Sequence, residues 1–96
     1  MMGEKLKWGL IANGAIANAF ANSIKNSKTS ELKSVFGRNK SKVEAFAKKH
    51  KIISFNDLDS FLDSDLDAVY IATPHDSHFY YSLKCVRKNL HVLCEK

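Results

Sequence analysis

The feature that most constrains this chain is the run Asp67-Ala68-Val69-Tyr70-Ile71-Ala72-Thr73, closed by Pro74. It is apolar almost without a break. A strand with one wet face alternates apolar and polar residues, whereas a continuous apolar run suits a strand covered on both faces. Such strands sit in parallel sheets flanked by helices. Pro74 cannot continue the ladder and stops the run.

The flanking sequence fits that picture. Leu6–Ala12 (LKWGLIA) is a predicted strand, ended by the turn signal Asn13-Gly14. Over 15–26 the period changes, and Ile16, Ala19, Phe20 and Ile24 recur at helical spacing. Leu32–Gly37 is a second predicted strand. Asn39–His50 is a second helix, with Val43, Phe46 and Ala47 on one face and capping-box spacing between Ser41 and Glu44. Ile52–Phe55 is a short third strand. Asn56 is the expected N-cap of a third helix, with Asp57 and Asp59 in its first turn and Leu58, Phe61 and Leu62 on its buried face. After Pro74, Asp76 or Ser77 is expected to cap a fourth helix whose buried stripe is Phe79, Leu83 and Val86, with Asn89 as a left-handed C-cap. Leu90–Cys94 is the last strand. Five strands alternating with four helices predict an α/β doubly wound parallel sheet, order 3-2-1-4-5, with right-handed crossovers and helices on both faces.

Composition narrows the function classes. A chain of 96 residues holds one core, and 4 Gly with 1 Pro is too few for a disordered or collagen-like chain. No apolar run approaches the ~18 residues of a membrane span. The N-terminus has no apolar core of signal-peptide length. Two cysteines, Cys85 and Cys94, cannot make a disulfide framework; both are expected reduced and at least partly buried, in the cytoplasm. Net charge is +5 but unevenly spread: residues 1–51 carry 11 basic and 3 acidic groups, and 52–83 carry 6 acidic and none basic. The basic half lacks interleaved aromatics and any nucleic-acid motif, so nucleic acid is not an expected partner. Asp57, Asp59, Asp63, Asp65 and Asp67 alternate with Leu and Phe and read as a solvated helix face. His75 and His78 could share one helical turn, but no third ligand lies near them, so no metal is expected. His50 and His91 read as structural.

The first strand–helix turn is where a sheet of this kind binds ligands. A dinucleotide-binding turn wants G-x-G-x-x-G, and here those positions read Ala12-Asn13-Gly14-Ala15-Ile16-Ala17. Gly14 keeps the position that lets backbone approach a phosphate. Ala17 is small enough for the third. Ala12 departs, and fits only with a negative φ. The turn either holds a pyrophosphate on backbone N–H groups at the start of the first helix or is a tight turn without a ligand. At the end of the second strand, where an acidic residue would bond a ribose, the chain reads Gly37-Arg38-Asn39-Lys40. Arg38 would attract a 2′-phosphate and could stack on adenine, which favours NADP(H) over NAD(H).

These segments together resemble the glucose–fructose oxidoreductase/inositol dehydrogenase (Gfo/Idh/MocA) family. The resemblance runs from Trp8-Gly9-Leu10-Ile11-Ala12-Asn13-Gly14-Ala15-Ile16-Ala17 through Gly37-Arg38-Asn39-Lys40 and Val43-Glu44-Ala45-Phe46-Ala47. It continues in Asp67–Pro74 with His78, and in His91-Val92-Leu93-Cys94-Glu95-Lys96, which looks like the family's E-K-P strand end. The chain is similar in particular to the NADP-dependent dihydrodiol and xylose dehydrogenase branch, in its W-G-x-I opening and the Arg after strand two.

The resemblance implies a Rossmann domain in an oxidoreductase moving hydride between nicotinamide and a sugar, polyol or diol. Ala12, Asn13, Gly14, Ala15 and Ile16 would hold the pyrophosphate, and Arg38 with Asn39 the adenosine end. Thr73, Pro74 and His78 would line the nicotinamide side. Glu95 and Lys96 would stand beside the nicotinamide, with Lys96 the catalytic residue that assists proton transfer. The expected cofactor is NADP, with NAD second. Residues 1–96 are expected to form one NAD(P)-binding domain, with the family's substrate domain absent from the chain. The alternative is a truncated dinucleotide-binding module without catalysis. The last strand lies at the sheet edge, which the family covers with later chain; left bare it templates pairing, so a homo-oligomer is expected.

Overall fold

The computed structural model describes residues 5–11, 15–73 and 75–94, with backbone alone at 15, 16, 75–78 and 94. Nine elements follow in order: β1 (Leu6–Ile11), α1 (Ala15–Ile24), β2 (Ser30–Phe36), α2 (Lys40–His50), β3 (Ile53–Phe55), α3 (Leu58–Leu62), β4 (Ala68–Ile71), α4 (His75–Arg87) and β5 (His91–Cys94). The strands form one parallel sheet in the order β3-β2-β1-β4-β5, as the sequence predicts.

Each face of the sheet has its own core, because side chains alternate along a strand. On one face Leu10, Val35 and Tyr70 from the strands meet Ala17 of α1 and Val43 and Ala47 of α2. Phe20 stacks on Tyr70 with ring centroids 4.3 Å apart and meets Trp8 edge-on at 5.6 Å. On the other face Ile11, Phe36, Val69 and Ile71 meet Phe61 and Leu62 of α3 and Tyr81 and Cys85 of α4. All four residues of β4 are buried, which is the two-sided cover its apolar run requires.

Several local expectations are corrected. Asn39, not Ser41, caps α2: its side chain accepts from Lys42 N at 3.0 Å. Asp57, one residue after Asn56, caps α3 by accepting from Ser60 N. Asp76 and Ser77 lie inside α4 rather than before it. The α1 stripe is rotated: Ala17 and Ala21 are buried, while Ala19 is exposed. The α4 stripe fails more plainly. Tyr81 and Cys85 face the core, and Phe79, Leu83 and Val86 are 78%, 40% and 60% exposed. Asn89 does adopt the expected left-handed conformation, φ 61°.

The acidic run is largely exposed, as expected, but it is not a helix face, because α3 is only five residues long and contains Asp59 alone of the five. Asp57 caps the helix, and Asp63 pairs with Lys88 at 2.9 Å. Asp65 pairs with Lys7 at 2.8 Å, with Lys33 at 3.9 Å. Asp67 accepts from the Lys7 backbone N–H at 2.8 Å. Two lysines of the basic half, Lys7 and Lys33, thus meet Asp65, while Asp63 pairs with Lys88 near the end of the chain.

Candidate functional site: the crevice at the carboxyl ends of β1 and β4

Strands β1 and β4 are neighbours in the sheet but not in sequence. From β1 the chain turns into α1 on one face, and from β4 into α4 on the other. The carboxyl ends of β1 and β4 thus lie between helices on opposite faces, the place where doubly wound sheets take ligands. Its floor is tight: Ile11 and Ile71 are register partners, and Ala72 N donates to Ile11 O at 2.9 Å.

On the α1 side, the turn Ala12-Asn13-Gly14 lies outside the described residues. Ala15 and Ile16 open α1, and of these the backbone is described. The first turn of α1 carries no acidic residue, so the positive end of the helix dipole is left for an anion. Ala17, the third fingerprint position, is 1% exposed and packs in the cluster holding Leu10, Val35, Tyr70 and Ala72. A longer side chain there would lift α1 off the sheet. The requirement for a small residue is therefore met and used.

At the end of β2, Gly37 N donates to Phe55 O at 3.1 Å. A Cβ on Gly37 would stand 3.0 Å from Val43 Cβ, so glycine lets α2 close directly over the strand end. Gly37 positions the site and was not among the expected cofactor residues; its place immediately before Arg38 was the available signal. Arg38 is exposed just past the strand. Asn39 is exposed too, and its amide oxygen is engaged in capping α2. No acidic residue lies in the first turn of α2, and Lys40 and Lys42 are exposed beside Arg38. The chain past β2 is thus cationic, with no carboxylate in the first turn of α2.

On the β4 side, Thr73 is half-buried just after the strand. His78 lies in the first turn of α4, and its backbone is described. Pro74, Glu95 and Lys96 lie outside the described residues. Arg38 and Asn39 follow β2 and Thr73 follows β4, so all three lie at the carboxyl edge of the sheet, where Ala15, Ile16 and His78 are described by backbone. Among the described residues no group of three or more His, Cys, Asp or Glu could hold a metal ion. No described helix is long and apolar enough to cross a membrane. A groove of about 170 Å³ lies elsewhere, at the amino ends of β1 and β2, lined by Lys25, Leu32, His50 and Ile52 among others.

Comparison with known proteins agrees with this geometry. Residues 6–96 match the family model Gfo/Idh/MocA, described as an oxidoreductase family with an NAD-binding Rossmann fold. The chain is 34% identical over 90 residues to glucose-6-phosphate 3-dehydrogenase of Bacillus subtilis, covering 94% of this chain and 25% of that protein. It is 32% identical over 93 residues to scyllo-inositol 2-dehydrogenase (NADP+) of the same species, covering 95% and 28%. Among solved structures, the WlbA dehydrogenase of Chromobacterium violaceum, in complex with NADH and UDP-GlcNAcA, superposes with a TM-score of 0.91 at 26% identity. That match covers 100% of this chain and 28% of the other. The chain spans between a quarter and a third of the length of the curated relatives it matches.

Proposed function

The chain belongs to the Gfo/Idh/MocA oxidoreductase family as its NAD-binding Rossmann domain, and from that premise we propose that it binds NADP(H) in preference to NAD(H). The observation that carries the preference is Arg38, exposed past the end of β2 with Lys40 and Lys42 beside it and no carboxylate in the first turn of α2. A guanidinium bonds a 2′-phosphate with two charge-assisted hydrogen bonds, whereas a ribose 2′-hydroxyl offers it little. The scyllo-inositol relative uses NADP+, in keeping with this; the WlbA structure holds NADH, so the family accommodates both and the choice lies in the residues after β2.

The reaction proposed for the full-length protein is hydride transfer between the cofactor and a carbon bearing a hydroxyl in a sugar, polyol or diol. The bound nicotinamide supplies or accepts the hydride. This chain's residues do the rest. Backbone N–H groups from Ala12 to Ile16, with Asn13 and Gly14 at the turn, hold the pyrophosphate. Arg38 and Asn39 hold the adenosine end. Thr73, Pro74 and His78 line the nicotinamide side. Glu95 and Lys96 stand beside it, and the Lys96 amine takes the proton of the substrate hydroxyl as the hydride leaves its carbon, the resulting ammonium returning that proton in the reverse direction. The substrate pocket itself belongs to a second domain, and the protein works in the cytoplasm as a homo-oligomer.

The test is a pair of titrations, NADPH and NADH, followed by Trp8 fluorescence or calorimetry. NADPH should bind more tightly. Arg38→Ala should weaken NADPH roughly 10- to 150-fold, the equivalent of about 1.5–3 kcal/mol, and leave NADH nearly unchanged. Equal affinity of the unaltered chain for the two cofactors overturns the preference.

A further inference from the structure

The end of β2 is closed over by a single side chain. Gly37 follows the strand, and its N–H donates to Phe55 O of β3 at 3.1 Å. Val35 faces the α1/α2 side of the sheet and Phe36 the other, so by alternation position 37 faces α2 again. A Cβ there would stand 3.0 Å from Val43 Cβ and 3.2 Å from Val43 Cγ2, where ordinary contact begins at 3.4 Å. The φ of Gly37 lies outside the left-handed region, so space, not backbone conformation, calls for glycine.

Val43 has little room to yield. It is 5% exposed and packs with Leu10, Val35, Ala47 and Tyr70. A β-branched side chain in a helix has one strongly preferred rotamer, so it cannot swing aside without strain. The start of α2 is pinned as well. Val43 N donates to Asn39 O at 2.9 Å, and Asn39 Oδ1 accepts from Lys42 N at 3.0 Å.

The end of this strand is where a dinucleotide-binding sheet carries the Asp or Glu that bonds the ribose hydroxyls. Any such residue brings a Cβ with it. We propose that Val43 is a positioning residue that sets cofactor choice: it fills the space a side chain at position 37 would need, keeps the carboxylate out, and leaves Arg38 as the first side chain past β2 to meet the ribose. This rests on the reading that the residues after β2 hold the adenosine end of a nicotinamide dinucleotide. Selectivity then has two layers. Arg38 attracts a 2′-phosphate, and Val43 denies the strand end the group that would repel it. A carboxylate at position 37 recruits NAD(H) only when Val43 is cut back.

The test compares Gly37→Asp, Val43→Ala and the double variant with the unaltered chain, by melting temperature and by separate titrations with NADPH and NADH. Gly37→Asp alone should melt roughly 5–15 °C lower, from overpacking, and weaken NADPH about 10-fold or more with no gain in NADH affinity. Val43→Ala alone should also melt lower, but keep the NADPH-to-NADH ratio within about 3-fold of the unaltered chain. The double variant should melt no lower than Gly37→Asp, where independent lesions would add. Without the two methyls, α2 can move the few tenths of an ångström that the new Cβ needs. The same variant should bind NADH about 10-fold or more tighter than the unaltered chain does, through carboxylate bonds to the ribose. Gly37→Ala reads the clash without the charge, and its loss in melting temperature should shrink in the Val43→Ala background. Recruitment of NADH by Gly37→Asp alone overturns the proposal. So does a double variant that gains no NADH affinity, or additive losses in melting temperature in both the Asp and the Ala series. Equal affinity of the unaltered chain for the two cofactors would remove the preference assigned to Arg38, while a gain in NADH affinity confined to the double variant would still uphold the role of Val43.

Discussion

The two faces of the sheet solve the same packing problem with opposite materials. The face under α1 and α2 is closed by small helix residues, Ala17, Ala21 and Ala47, which bring the helices close to Leu10, Val35 and Tyr70. The face under α3 and α4 is closed by bulk: Phe61, Phe36, Tyr81 and Leu66 fill it, and the close approach falls in the strand instead, at Gly9. On the first face the helices are seated low and their position is set by the absence of side chain; on the second, the five residues of α3 are held by one deeply inserted ring.

That contrast predicts where the molecule is least tolerant. Phe61 is fully buried and meets the rings of Phe36 and Phe55 at centroid distances of 6.0 and 6.1 Å. Phe61→Ala removes the ring that anchors α3 and should cost about 3–5 kcal/mol. In a domain of this size that lowers the melting temperature by roughly 15 °C or more. Calorimetry that found a loss below 1 kcal/mol would show that α3 is not anchored by this ring.

Gly9→Ala comes next. Its Cβ would stand 2.5 Å from Leu66 Cδ1 and 2.6 Å from Phe61 Cζ, so at least one of these must move. The expected loss is about 1–3 kcal/mol from overpacking. The clash is shared with Phe61, so the double variant Gly9→Ala with Phe61→Leu should lose less than the two single losses combined. Strict additivity would place the strain of Gly9→Ala elsewhere. On the small-residue face, Ala17→Leu should also destabilise by about 1–3 kcal/mol, but it should cost NADPH affinity too, because it lifts α1. Gly9→Ala should leave affinity per folded molecule unchanged. Titration of both variants at a temperature where each is folded separates the faces.

The order of elements was legible because each rests on a pattern confined to a few residues. Ala68–Ile71 needs only its own apolar run, and the 3.6-residue period of α2 needs only Val43, Phe46 and Ala47. What failed was orientation where a helix is apolar nearly all round. In α4, Phe79, Tyr80, Tyr81, Leu83, Cys85 and Val86 offer more than one plausible stripe. Tyr81 and Cys85 win because the sheet beneath them presents Phe36 and Ile71 at that height, which no local period records. The caps slipped by one or two residues for a related reason. Asn39 and Ser41, or Asn56 and Asp57, are all competent caps, and the strand that ends before them decides which one starts the helix. In the site, the cationic rim at Arg38 was readable from residue type alone. The seat Gly37 makes for α2 required knowing that Val43 sits above it.

A smaller effect sharpens the contrast at the foot of the α1/α2 face. Asn39→Ala removes the side-chain acceptor of Lys42 N and should cost about 1 kcal/mol. It also frees the start of α2 beside Arg38, so the NADPH preference should narrow slightly. Asn39→Asp restores the cap but adds a negative charge at the rim. It should therefore recover stability in chemical denaturation while weakening NADPH further. If Asp and Ala behave alike toward NADPH, Asn39 bears on the cofactor only through helix geometry.

The smallest expected effect concerns His50, which ties the end of α2 to α1. Its Nε2 donates to Asn18 Oδ1 at 3.1 Å, and Lys49 Nζ donates to the same oxygen at 3.3 Å. Partial burial, then the positive charges of Lys49 and Lys25, hold the imidazole pKa below its usual 6.5. The sign follows from linkage. The unfolded chain takes up the proton first, so stability is highest above pH 6.5 and falls as pH drops from there through the folded value, below which it levels off. Asp57 and Asp65, whose pKa values lie below 3.8 in the fold, lose their contributions only at more acid pH, so the two ranges do not overlap. Melting temperatures between pH 8 and pH 5 should decline gently in the unaltered chain, and the decline should shrink in His50→Gln. Lys49→Ala should shrink it too, since the positive charge beside the imidazole is removed. An unchanged slope in both variants would mean that the α1–α2 tie is indifferent to the charge gathered around it.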